Sequence, residues 1–123
     1  MPVFAAGLGG TESHQFALPA HRYGGGQRAA HRVRAANLLA SGIGLPMAPV
    51  AGDMNGLRLG TPEITRLGMR EHDMPALAAF LARALDPAGE PATDLAALAA
   101  ELTAWRAPFT GVHFTAHPTP GAA

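Results

Sequence analysis

Asn55-Gly56-Leu57-Arg58-Leu59-Gly60-Thr61-Pro62-Glu63-Ile64-Thr65-Arg66-Leu67-Gly68-Met69 is the stretch on which the reading of this chain turns. Leu57, Arg58 and Leu59 form a short strand between two glycines, and Thr61-Pro62 closes it with a turn. Alternation sends Leu57 and Leu59 into a core and Arg58 to the opposite face. Gly56 and Gly60 permit close approach of backbone or ligand. A guanidinium carries a permanent charge and paired donors that match a carboxylate, so this setting suits a buried fork gripping a small acid. Such a charge is costly unless paired. Its partner is either an external carboxylate or an internal one such as Glu63.

Working outward, the 123 residues fit one domain with a real core. Hydrophobic residues make up 48% and aromatics 6%, which implies a helix-rich interior of small side chains. Nine acids balance nine basic residues, all arginine; there is no basic field for nucleic acid and no acidic tail. The lack of cysteine excludes disulfides and thiolate metal sites. No apolar run approaches the ~18 residues of a membrane span, and Met1-Pro2-Val3-Phe4 does not begin a secretory signal. The expectation is a cytoplasmic domain over residues 1–115 and a flexible tail over 116–123.

Along the chain, partial alternation predicts a strand over Thr11–Leu18, stopped by Pro19. Gly24-Gly25-Gly26 reads as a flexible loop rather than a phosphate cradle, since no strand leads into it and no lysine follows. A helix is expected over about Gln27–Ala40, with Ala29, Ala30, Val33, Ala36 and Ala40 on its apolar side and Arg28, Arg32 and Arg34 on a solvated face. A short strand over Ile43–Pro46 follows, then a Pro-, Gly- and Met-rich loop. Helical spacing of Met74, Leu77, Ala78, Leu81 and Leu85 predicts a helix over His72–Leu85 with Asp73 as its cap. A linker over 86–91 leads to a last helix capped by Thr93, seamed by Leu95, Leu98, Leu102 and Trp105 and ended by Pro108. Phe109–Thr115 is expected to add a strand. The order predicts an α+β fold, a small sheet covered by helices on one face.

The six histidines show no metal-ligand spacing. His14 is the one expected to be buried, as a hydrogen-bonded core residue, whereas His113 and His117 fall in the tail.

Gly56-Leu57-Arg58-Leu59-Gly60-Thr61-Pro62 with Thr65-Arg66-Leu67-Gly68-Met69 resembles the C-terminal substrate-binding segment of the serine hydroxymethyltransferase family. Gly9-Gly10-Thr11-Glu12-Ser13-His14 and Ala36-Asn37 resemble further parts of the same domain, so the likeness runs from about Gly9 to Trp105. It implies the C-terminal small domain of a fold type I pyridoxal-phosphate enzyme acting on glycine, serine or threonine. Arg58 would hold the amino acid's α-carboxylate, with Thr61 and Pro62 shaping the turn behind it. The cofactor would be pyridoxal phosphate, bound mainly by a large domain whose lysine anchors it.

Two departures narrow this. The chain has no lysine, so by this resemblance it is expected to be silent alone, its catalytic lysine supplied by a separate lysine-bearing large-domain polypeptide, in a split enzyme of oligomeric type, or by sequence missing here. Ile43 stands where the family places a folate-contacting asparagine, and isoleucine offers no hydrogen bond, which argues against tetrahydrofolate. A folate-independent threonine aldolase or transaldolase is the alternative within the class. A truncated remnant is a further alternative within the class, and a non-catalytic binding or regulatory module is the alternative outside it.

Overall fold

The computed structural model describes residues 1–86 and 94–114. A three-stranded antiparallel sheet lies at its centre, formed by β1 (Gln15–Pro19), β2 (Ser41–Ile43) and β3 (Gly56–Gly60) in the order β1-β3-β2. Four helices complete it: α1 (Gly26–Ala35), α2 (Pro62–Arg66), α3 (Met74–Leu85) and α4 (Leu95–Arg106). The expected α+β class is therefore what the chain adopts.

Alternation fixes which face of the sheet meets the helices. Leu18 of β1 and Leu57 of β3 stand opposite one another and join Ala29, Ala30 and Val33 of α1, with Leu81, Ala84, Leu85 and Leu98, in a single core. Phe16 and Leu59, the next opposed pair on that face, pack against the same cluster. The seam of α4 is as expected, with Leu98 and Leu102 buried. Trp105 continues it by lying between the Phe80 and Phe109 rings, at 5.5 and 5.3 Å. On α3 the buried positions are Leu81, Ala84 and Leu85. Ala78, expected on that face, is exposed.

Several element bounds differ from expectation, each for a local reason. β1 begins at Gln15, not Thr11, because Thr11 and Ser13 close a hydroxyl-bonded turn before it. α1 stops at Ala35, five residues short of Ala40. Asn37 adopts φ 63°, and the Leu38 amide donates back to the Val33 carbonyl, ending the helix and freeing Ser41–Ile43 to pair with β3. The expected strand over Ile43–Pro46 is thus shifted toward the N-terminus. Pro62 does more than turn the chain, since it occupies the first turn of the short helix α2. The helix expected from His72 opens as a 3₁₀ turn over Glu71–Asp73. Asp73 accepts a hydrogen bond from the Arg70 amide there and caps no α3 amide.

Thr93 lies outside the described residues, and the cap of α4 is Asp94, whose carboxylate accepts from the Ala96 and Ala97 amides. No strand forms over the described residues 109–114; Thr115 and the tail over 116–123, His117 included, lie outside them. Instead the segment doubles back onto α2, with the His113 amide donating to the Arg66 carbonyl and the Phe114 ring beneath the Arg70 guanidinium at 4.7 Å. Among the described residues no helix is long and apolar enough to cross a membrane.

Gly24-Gly25-Gly26 is a tight joint, not a flexible loop. A Cβ on Gly26 would overlap the Gly56 carbonyl oxygen, and one on Gly25 would overlap the Asp53 carboxylate. Gly25 also holds φ 123°, which L side chains rarely adopt. Gly26→Ala is therefore expected to abolish or severely weaken folding, because backbone rather than a movable side chain blocks the methyl group. Gly44→Ala, where nothing lies within 4 Å, should leave the melting temperature nearly unchanged. Thermal unfolding of both variants by circular dichroism checks the contrast.

Candidate functional site

The face of the sheet turned away from the core carries Arg58 at its centre. In the antiparallel register Arg58 stands between Ala17 of β1 and Ser41 of β2. Along its own strand, its neighbours on that face are Gly56 and Gly60. The guanidinium stem thus rises from a floor of small residues. One side of this floor is walled: a Cβ on Gly56 would lie 2.7 Å from the Leu45 Cδ1 and 3.0 Å from the Ile43 Cγ2. Apolar side chains from β2 and the following loop therefore fill the space the glycine leaves.

The side chain of Arg58 is not buried as the sequence suggested. Arg58 is exposed, and no hydrogen bond or ion pair engages it among the described residues. Glu63, the internal candidate, is taken by Arg66 through two short contacts of 2.6 and 2.9 Å. That fork holds the Glu63 carboxyl below its ordinary range and raises Arg66. The pairing follows from α2, which places the two residues three apart on one helical face. Arg58 is consequently free to meet a carboxylate from elsewhere.

Thr61 and Pro62 form the turn beyond Arg58. The Thr61 amide and hydroxyl both reach the His14 carbonyl, at 2.9 and 3.2 Å, which ties the end of β3 to the approach to β1. The Thr61 carbonyl accepts from both the amide and the hydroxyl of Thr65. His14 contributes this carbonyl rather than a core ring, because its side chain lies before β1 begins and is exposed.

Two residues not singled out from sequence fix where β3 starts. Asp53 caps α1 from a distance in sequence: its carboxylate accepts from the Gln27 and Arg28 amides at 2.9 and 3.0 Å, and from the Met54 amide at 2.6 Å. These amides, Gln27 first and Arg28 next, hold the Asp53 carboxyl below its ordinary range. Asn55 is 6% exposed and binds the preceding loop, accepting from the Leu45 amide and donating to the Leu45, Met47 and Ala48 carbonyls. Polar residues flanking Met54 directly before Gly56 were the available signal. Apart from the adjacent Met54 amide, their partners lie 7 to 26 residues away, so spacing alone does not reveal them. Arg32 also departs from the solvated face expected of it, donating to the Ala84 and Asp86 carbonyls at the end of α3.

No family model matches the chain. It is 55% identical over 114 residues to an alpha-methylserine aldolase of Variovorax paradoxus, a match covering 93% of this chain and 24% of the relative. An alpha-methylserine aldolase of a Ralstonia species is 50% identical over 114 residues, covering 93% and 25%. The serine hydroxymethyltransferase of Pyrobaculum arsenaticum is 38% identical over 92 residues, covering 72% and 21%. The chain thus spans about a quarter of the length of these relatives. The resemblance to the serine hydroxymethyltransferase family is borne out as homology, and this chain is a small α+β domain of that kind. Within the group, its identity to these two aldolases exceeds that to this hydroxymethyltransferase.

Replacing Asn55 with alanine removes its four hydrogen bonds to the 45–48 loop, an expected loss of about 1–3 kcal/mol measurable by urea unfolding. For Asp53 the sign follows from a lowered folded-state value. Its stabilising effect is present above the ordinary 3.8 and is lost as pH falls through the lower folded-state value. Asp53→Asn should therefore lower the melting temperature at neutral pH, and the gap to wild type should narrow below about pH 4.

Proposed function

We propose that this chain is the substrate-holding small domain of a pyridoxal-phosphate-dependent aldolase or hydroxymethyltransferase, in which Arg58 grips the α-carboxylate of a β-hydroxy amino acid. The observation that carries the reading is Arg58 itself: an exposed guanidinium with no acidic partner among the described residues, on a floor of Ala17, Ser41, Gly56 and Gly60. Exposure of such a fork suits an active-site cleft whose other wall is a second protein surface laid over the open face of the sheet.

Among the described residues the cofactor finds no cradle. There is no lysine to anchor it. The amides at the start of α1, a natural place for a phosphate, are already taken by the Asp53 carboxylate. Cofactor binding and bond cleavage therefore belong to protein outside these residues, either further sequence or a separate lysine-bearing polypeptide. The part proposed for this domain is binding and orientation. A planar fork fixes both carboxylate oxygens and so fixes the direction of the α-carbon.

Ile43 supports the folate-independent branch of the reading. It lies on the open face with Leu45, where an apolar wall offers nothing to a polar carrier. The aldolase relatives suggest an α-branched substrate such as α-methylserine.

The test is amino-acid binding by the cofactor-loaded assembly that includes this chain. Arg58→Ala should weaken binding of α-methylserine roughly 10- to 100-fold, the worth of a charged hydrogen-bonded contact. Arg58→Lys should also weaken it, because a point charge does not reproduce the fork. Both variants should keep stability within about 0.5 kcal/mol, as expected for an exposed side chain with no partner. Wild-type affinity in Arg58→Lys would remove Arg58 from this role, and folate-stimulated turnover would sink the folate-independent branch.

A further inference from the structure

The two sides of Arg58 are chemically unequal. Ala17 faces it from β1 and Ser41 from β2, each directly opposite in register. Directly opposed residues of an antiparallel pair point to the same face with Cβ atoms about 4.5–5.5 Å apart. That Ser41 shares the open face is shown independently by its neighbours. A Cβ on Gly42 would meet the Gln27 side chain of α1, on the helix side, at 3.0 Å, while the Ile43 side chain lies over Gly56 on the open side. Ser41 must then alternate with Gly42 and stand beside Arg58.

Ser41 is half-buried, and its hydroxyl has no hydrogen-bond partner among the described residues. The Thr61, Thr65 and Thr103 hydroxyls, by contrast, each donate to a backbone carbonyl. A hydroxyl held by a paired strand, next to a guanidinium with no acid, is a donor placed where a bound carboxylate would arrive.

We infer that Ser41 is a second substrate-binding residue, its Oγ–H donating to the carboxylate oxygen on the β2 side while the Arg58 fork holds the group in plane. The inference rests on the carboxylate-binding reading of Arg58 proposed above. Ala17 has no donor to offer, so the carboxylate is drawn toward β2 and toward the Ile43–Leu45 wall. The ligand class follows from the chemistry: a small amino acid with a free α-carboxylate, its substituents directed along an apolar surface. A pair of donors on adjacent strands also restricts rotation of the carboxylate about its own axis, which a single arginine does not.

The experiment is calorimetric binding to the cofactor-loaded assembly, using α-methylserine and, as a carboxylate-free control, ethanolamine. Ser41→Ala should weaken α-methylserine binding roughly 3- to 10-fold, the value of one neutral hydrogen bond. It should leave ethanolamine binding unchanged. Ser41→Thr, which keeps the hydroxyl, should restore most of the loss. Added to Arg58→Ala, Ser41→Ala should cost less than about twofold more, because the carboxylate is no longer held in place. If Arg58→Ala weakens binding and Ser41→Ala does not, the inference about Ser41 falls while the role of Arg58 stands. If Ser41→Ala weakens both ligands alike, Ser41 acts only through structure and the inference is again overturned. If Arg58→Ala binds as wild type does, the carboxylate reading of the whole face falls.

Discussion

The close approach of the start of α1 to the backbone of β3 is the constraint on which the rest of this domain depends. Gly26 lies against the Gly56 carbonyl with no room for a side chain, and its amide donates to the Met54 carbonyl at 2.7 Å. Asp53 closes the same joint by capping α1 through the Gln27 and Arg28 amides. One helix end, one strand start and the loop between residues 43 and 55 are thereby locked together. Removing the glycine or the carboxylate would not merely loosen a loop. It would release the start of the strand that carries Arg58.

That joint explains how a small domain presents a charged residue on an open sheet face without collapsing it. The core lies wholly on the other side of the sheet, where Leu18, Leu57 and Val33 are buried. The open face has only small residues beside Arg58, so no local acid or carbonyl bends back to quench the charge. Glu63, the acid that could compete from the following helix, is engaged by Arg66. Distribution of pairing, not net charge, leaves Arg58 available.

The sequence and the structure part company mainly where partners are distant. Periodicity located α1, α3 and α4 because their apolar stripes meet a single core. It failed at the end of α1, where Asn37 in the left-handed region stops a helix whose alanines would allow it to continue. It failed again after Pro108, where the segment expected to form a strand folded back on α2 instead. Asn55 and Asp53 could be seen only as polar residues in a loop, since their meaning lies in amides and carbonyls brought to them by folding.

By itself, the sequence determined the α+β class, the inward direction of Leu57 and Leu59, the absence of any lysine and the family resemblance centred on Arg58. Those follow from alternation, composition and a short contiguous motif, all of which survive in one dimension. Only the tertiary structure decided that Arg58 is exposed rather than buried, that Glu63 is not its partner, and that Ser41 and Ala17 flank it. Ser41 and Ala17 lie 17 and 41 positions from Arg58 along the chain, and their register with it is set by packing and backbone pairing, so no reading of spacing along the chain could have placed those neighbours side by side.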